Sequence, residues 1–121
     1  MGDVPTIKKK MKTLDQQINN AFNSLVDFRE RIGIGGGFKC DKHFLNGFQI
    51  SIECGELSYC HPKEDLNSPN DYLLFEVLVR NDNYDKVTSD FFEDVSNDQV
   101  KGWASREEIV LAICQIINIP L

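Results

Sequence analysis

The sequence predicts an α+β fold, a single antiparallel sheet covered on one face by helices, and three observations carry that prediction. An apolar stripe with a four-three rhythm occupies the first third of the chain. Apolar and polar residues alternate from Phe38 onward, and a capped helical segment closes the chain. At 121 residues with 41% hydrophobic and 26% charged content, the chain has material for one domain with one core.

The first element is read from Ile7, Met11, Leu14, Ile18, Ala21, Leu25, Phe28 and Ile32, with polar residues filling most positions between them. This spacing predicts a helix from Pro5 to Ile32, a rod of about 42 Å. Pro5 suits a first helical turn, and Gly33 suits a C-terminal cap. Thr13-Leu14-Asp15-Gln16 also fits a capping box, so a start at Thr13, with residues 1–12 as a frayed or projecting arm, is the alternative. The stripe is longer than one side of a small sheet needs, and Phe22 and Val26 add a second row. A homodimer is therefore expected, with Met11, Leu14, Ile18 and Leu25 in its interface.

A meander of four strands is expected next. Phe48, Ile50, Ile52 and Cys54 alternate with Gln49, Ser51 and Glu53, and the segment from Phe38 to Phe44 precedes them. A three-residue loop at Leu45-Asn46-Gly47, with Gly47 left-handed, pairs Phe44 with Phe48 and Cys40 with Ile52 and unites the apolar side chains. A two-residue turn would scatter them over both faces. Leu57 to His61 reads as the third strand, and Pro62 to Asn70 as a loop. The fourth strand runs from Tyr72 to Arg80, with Leu73, Phe75, Val77 and Val79 on one face. Val100-Lys101-Gly102-Trp103 reads as a short strand or bend. Ser105-Arg106-Glu107-Glu108 is a capping box that opens a final helix with Ile109, Ala112, Ile113, Ile116 and Ile117 on its apolar side.

The charge balance is acidic, with 13 Lys+Arg against 19 Asp+Glu, a net −6. That opposes direct binding to nucleic acid phosphates. The acid is concentrated from Asn81 to Asp98, where Val87 to Val95 reads as a short helix. Asp90, Phe91, Phe92, Glu93, Asp94 and Asp98 are the expected contact residues for a basic partner, which makes a basic protein surface or a nucleic-acid-binding protein the expected partner. A second candidate, for a small ligand, is the strand end Tyr59-Cys60-His61-Pro62-Lys63-Glu64, with Tyr59, His61, Lys63 and Glu64 near Glu76 of the neighbouring strand.

Other motifs point away from chemistry. The glycines from Gly33 to Gly37 follow a helix, the wrong order for a phosphate cradle, and read as a hinge. Cys40, His43, Cys60 and His61 lack the spacing of a zinc site, and the acidic run lacks the glycine and terminal Glu of a calcium loop. No nucleophile elbow is present, and no cofactor or metal is implied. The start of the chain carries lysines without an apolar run, so the expected setting is a reducing cytoplasm with Cys40, Cys54, Cys60 and Cys114 as free thiols. No apolar run reaches the ~18 residues of a membrane span.

The series Gly47-Phe48-Gln49-Ile50-Ser51, Tyr59-Cys60-His61-Pro62-Lys63-Glu64, Tyr72 with Phe75-Glu76-Val77, and Val100-Lys101-Gly102-Trp103 before a final helix resembles small phage-encoded proteins of unknown role. The resemblance spans residues 47 to 117 and omits the first helix. It implies an accessory protein of a mobile element, acting in the host cytoplasm, and suggests counter-defence. The leading expectation is a non-enzymatic binding protein that blocks or sequesters a macromolecular partner. A nucleotide-type small-molecule sponge, a toxin-immunity protein and an enzyme without a legible motif are the alternatives.

Overall fold

The computed structural model of the chain describes residues 3–32 and 35–121, with side chains from residue 13 onward. Helix α1 (Asp3–Leu25) leads to strands β1 (Arg29–Glu30), β2 (Phe38–His43), β3 (Gln49–Cys54), β4 (Phe75–Arg80) and β5 (Lys101–Ala104), and helix α2 (Arg106–Ile117) follows. Short 3-10 turns sit at Pro69–Asp71 and Thr88–Asp90. The sheet is antiparallel throughout, in the order β1-β2-β3-β4-β5. This is the expected α+β fold, with the C-terminal helix packed on the sheet.

The inner face carries Cys40, Ile50, Ile52, Cys54, Phe75, Val77, Val79 and Ala104, all buried. Ile109, Ala112, Ile113 and Ile116 of α2 and Phe22 of α1 close over them, since a one-sided sheet must bury its apolar face against something. The Ser105–Glu108 capping box is formed in both directions. Ile117, expected on the apolar side of α2, is instead 53% exposed.

The hairpin register is the expected one. Cys40 lies opposite Ile52, the Phe44 N–H donates to the Phe48 carbonyl at 2.9 Å, and Gly47 has φ +88°, a conformation that costs glycine little. Asn46 at the loop tip reaches α2. Its Nδ2 donates to the carbonyls of Ile116 at 2.8 Å and Ile119 at 3.0 Å, tying the loop tip to the last turn of α2 and the chain just beyond it.

Several expectations are corrected. Helix α1 ends at Leu25, short of Ile32, because β1 pairing captures Arg29 and Glu30 and the Phe28 ring stacks on Phe75 at 5.5 Å. Tertiary pairing overrides a continuous helical pattern here, and Ile32 is left fully exposed. The row that docks α1 is the second one, Phe22 and Val26; Leu14 is 61% exposed, Ile18 is half-buried, and Leu25 packs at the core edge. The side chains of Ile7 and Met11, residues 1–2 of the expected arm, and the expected cap Gly33 lie outside the described residues. Leu57–His61 is a turn rather than a strand, tied to Leu74 by a single bridge at His61; the sheet instead gains the unexpected β1, and the short strand expected near Val100–Trp103 is its fifth strand, β5. Strand β4 begins at Phe75, leaving Leu73 exposed, while Tyr72 is buried with its hydroxyl donating to the Glu64 carbonyl. Finally, Val87–Val95 holds only the 3-10 turn at Thr88–Asp90.

The four cysteines are free thiols. Burial pushes the Cys40 and Cys60 thiols up and the Cys54 thiol to about 12. Titration of the native protein with a thiol reagent at neutral pH is therefore expected to label Cys114, which is exposed, well ahead of the other three, and denaturant should release all four. Asn46→Ala should lower stability by about 1–2 kcal/mol in urea unfolding, through loss of the two hydrogen bonds that tie the loop tip to the end of α2.

Candidate binding groove beside a β-bulge

The site is built by an irregularity in β5. Phe75 pairs with Ala104 and Val77 with Lys101, so Glu76 alone faces the two residues Gly102 and Trp103. This is a β-bulge, which bends the strand and re-aims a side chain. Trp103 takes φ +54°, a left-handed conformation that a bulky residue rarely adopts. The cost is on the order of 1–3 kcal/mol. Its ring is turned outward and is 56% exposed.

Tyr59 is held beside it from two strands. The Trp103 N–H donates to the Tyr59 carbonyl at 2.9 Å, and the Tyr59 N–H donates to Oε1 of Glu76 at 3.0 Å. The rings of Tyr59 and Trp103 lie 5.6 Å apart at 46°, and Tyr59 is 50% exposed. Gly102 permits this approach, since a Cβ there would sit 3.1 Å from the Tyr59 Cβ. On Tyr59, the Lys63 ammonium stands 5.2 Å from the ring centroid.

The opposite wall comes from the acidic segment. Asp94, Val95, Ser96, Asp98 and Val100 complete a groove of about 360 Å³ with Tyr59, Gly102 and Trp103. The wall is firmly tied. The Ser96 N–H donates to the Val100 carbonyl at 3.1 Å, the Gln99 N–H to the Ser96 carbonyl at 2.9 Å, and the Val100 N–H to the Ser96 hydroxyl at 3.1 Å. Buried Lys101 donates from Nζ to the Glu93 carbonyl at 2.9 Å, and its ammonium lies 3.8 Å from a carboxylate oxygen of Glu108.

The structure thus joins residues that the sequence left in two separate candidate sites. Tyr59 from one and Asp94 and Asp98 from the other share a single groove. Asp90 and Glu93 are exposed but do not line it. Phe92 is buried and Phe91 packs edge-on to Phe48 at 6.1 Å, so the pair anchors the acidic segment to the core. His61 and Glu64 are exposed and lie off the groove; the His61 N–H donates to the Leu74 carbonyl, and the Glu64 carbonyl accepts the Tyr72 hydroxyl. Trp103 is the groove residue that sequence reasoning missed. Its signal was Gly102 inside a strand-like run, which marks a bulge.

Beneath Tyr59, on the sheet face away from the helices, Glu76 stands opposite Glu53 in register. Burial pushes the Glu76 carboxyl above its ordinary value; the Tyr59 N–H offsets this in part, and hydrogen bonding to Glu53 adds to it. Lys39 balances the Glu53 side of the pair, 3.5 Å from its carboxylate.

Comparison of the chain with protein-family models, curated proteins and solved structures finds no match.

The raised Glu76 value fixes a sign for pH dependence. The folded state holds this proton more tightly than the unfolded chain does. Its contribution is full below the unfolded value near 4.5 and is lost as pH rises through the folded value. Glu76→Gln keeps an acceptor for Tyr59 and stays neutral. Its melting temperature is expected to gain on the parent as pH rises from about 4 to about 7.5, and a difference independent of pH would contradict the assignment.

Proposed function

We propose that this chain is a binding protein whose groove receives a cationic side chain, lysine or arginine, from the basic surface of a protein partner, and that it blocks or sequesters that partner. One observation carries the reading: an exposed tyrosine–tryptophan pair and two carboxylates, Asp94 and Asp98, line the same groove. Aromatic faces attract cations through their quadrupole, and carboxylates supply the countercharge. The Tyr59 ring already draws the ammonium of Lys63, a weak internal version of the same contact. The net charge of −6 steers a basic partner toward the surface, and the bulge holds the Trp103 ring in place before binding.

Trp103 is the single tryptophan, so its fluorescence reports on this groove alone. A tetra-arginine peptide is expected to change that emission saturably, with an affinity that falls as salt rises from about 50 to about 500 mM. Asp94→Asn with Asp98→Asn should weaken binding about tenfold, or about 1.4 kcal/mol, as should Tyr59→Ala. Asparagine tolerates the left-handed backbone of Asp94, at φ +53°, so the double variant keeps the fold. Asp82→Asn with Asp85→Asn, away from the groove, should change little. An emission that never responds, or a response equal in the Asp94/Asp98 variant, would sink the proposal.

A further inference from the structure

We infer a second site of opposite charge preference: Arg106, with Asn19, Asn23 and Asn70, forms a receptor for an oxyanion, the head of a phosphate monoester or a carboxylate. These four residues line a pocket of about 240 Å³ between α1, the Pro69–Asp71 turn and the start of α2.

Arg106 is the first residue of α2, and its guanidinium carbon lies 5.3 Å from the centroid of the Phe22 ring and 5.2 Å from that of Phe75. The two rings hold the guanidinium in place, and stacking of this kind leaves its N–H groups to act at the rim of the plane. One long contact, 3.5 Å to the Asn70 carbonyl, is the hydrogen bond it makes among the described residues. The chain has nineteen acidic residues, yet the ion pairs found among the described residues belong to Lys39 and Lys101. Asp71 and Glu107 adjoin the pocket in sequence but do not line it. Burial lowers the Arg106 value from that of a free guanidinium, as expected of a cation drawn from water without a counterion.

The chemistry around it is that of a donor set. Asn19 and Asn23 are one helical turn apart on α1, and neither side chain has a hydrogen bond among the described residues. Each carboxamide offers two N–H donors. A guanidinium fork takes two oxygens of a carboxylate or phosphate side by side, and the carboxamides can donate to the oxygens left over. The pocket holds a compact head group and opens to solvent, so a larger body can extend outward.

Thermal melts of the full chain in sodium phosphate, sodium acetate and sodium chloride at matched ionic strength test the assignment. Phosphate or acetate should raise the melting temperature saturably above chloride. A response to phosphate alone assigns a phosphate monoester, and one to acetate at equal or lower concentration assigns a carboxylate. Asn23→Asp places a carboxylate in the pocket wall; it should raise the melting temperature without added anion and weaken the anion response at least tenfold. Arg106→Lys keeps the charge but loses the fork, and should weaken the response likewise. Asn23→Asp keeps the test standing if Arg106→Lys fails to fold. No response above chloride in the parent, or one unchanged in Asn23→Asp, overturns the inference.

Discussion

The molecule is organised around the ring of Phe75. It is fully buried, stacks on Phe28, and lies 5.1 Å from Phe22, so the end of α1 and the chain leading into β1 are fastened to the start of β4 through one side chain. Arg106 approaches the same ring from α2, and the Phe75 backbone pairs with Ala104. Residues 22–28 and 104–106, from opposite ends of the chain, therefore meet at one residue of β4. Aromatic clusters gain both from buried area and from ring geometry, which makes such a junction hard to replace with aliphatic side chains. The next residue, Glu76, points to the opposite face and holds Tyr59. Strand alternation thus converts a core contact on one side into a positioned binding residue on the other.

The two proposed sites draw on the same skeleton in different ways. The groove at Tyr59 and Trp103 exists because β5 carries one residue too many opposite Glu76. The Arg106 pocket exists because α2 begins just past the end of that same strand, beside the Phe22 and Phe75 rings. Both lie at interruptions of regular structure, where backbone pairing ends and side chains turn outward. Their preferences are opposite, one anionic and one cationic. On a surface with net charge −6, the arginine pocket is the more unusual of the two.

Features with local signals were legible in the sequence. The Leu45-Asn46-Gly47 loop revealed its register because only one pairing put Phe44, Cys40 and the isoleucines on a common face. The Ser105–Glu108 cap and the buried face of α2 were legible because capping and helical period are short-range. The end of α1 was not, since nothing at Leu25 breaks a helix and β1 pairing decides it. Leu57–His61 has a strand-like composition but is drawn into a turn, with the Cys60 thiol hydrogen-bonded to the Gly55 carbonyl at 3.1 Å. For the groove, Tyr59, Asp94 and Asp98 were each named, but in two separate sites. What joins them is the bulge at Gly102 and Trp103, far along the chain from Tyr59, and a register shift leaves only a faint mark in sequence.

The Asn46 side chain has a consequence for the order of assembly. It bridges residues 70 and 73 positions apart in the chain. The Phe38–Cys54 hairpin can zip locally and early, on the microsecond scale of such elements. Its tip cannot be locked until the last helix has been synthesised and docked. While the chain emerges from the ribosome, the hairpin would wait with its apolar inner face uncovered by α2. Long-range closure of this kind slows folding, and the interval before it is when intermolecular strand pairing competes best.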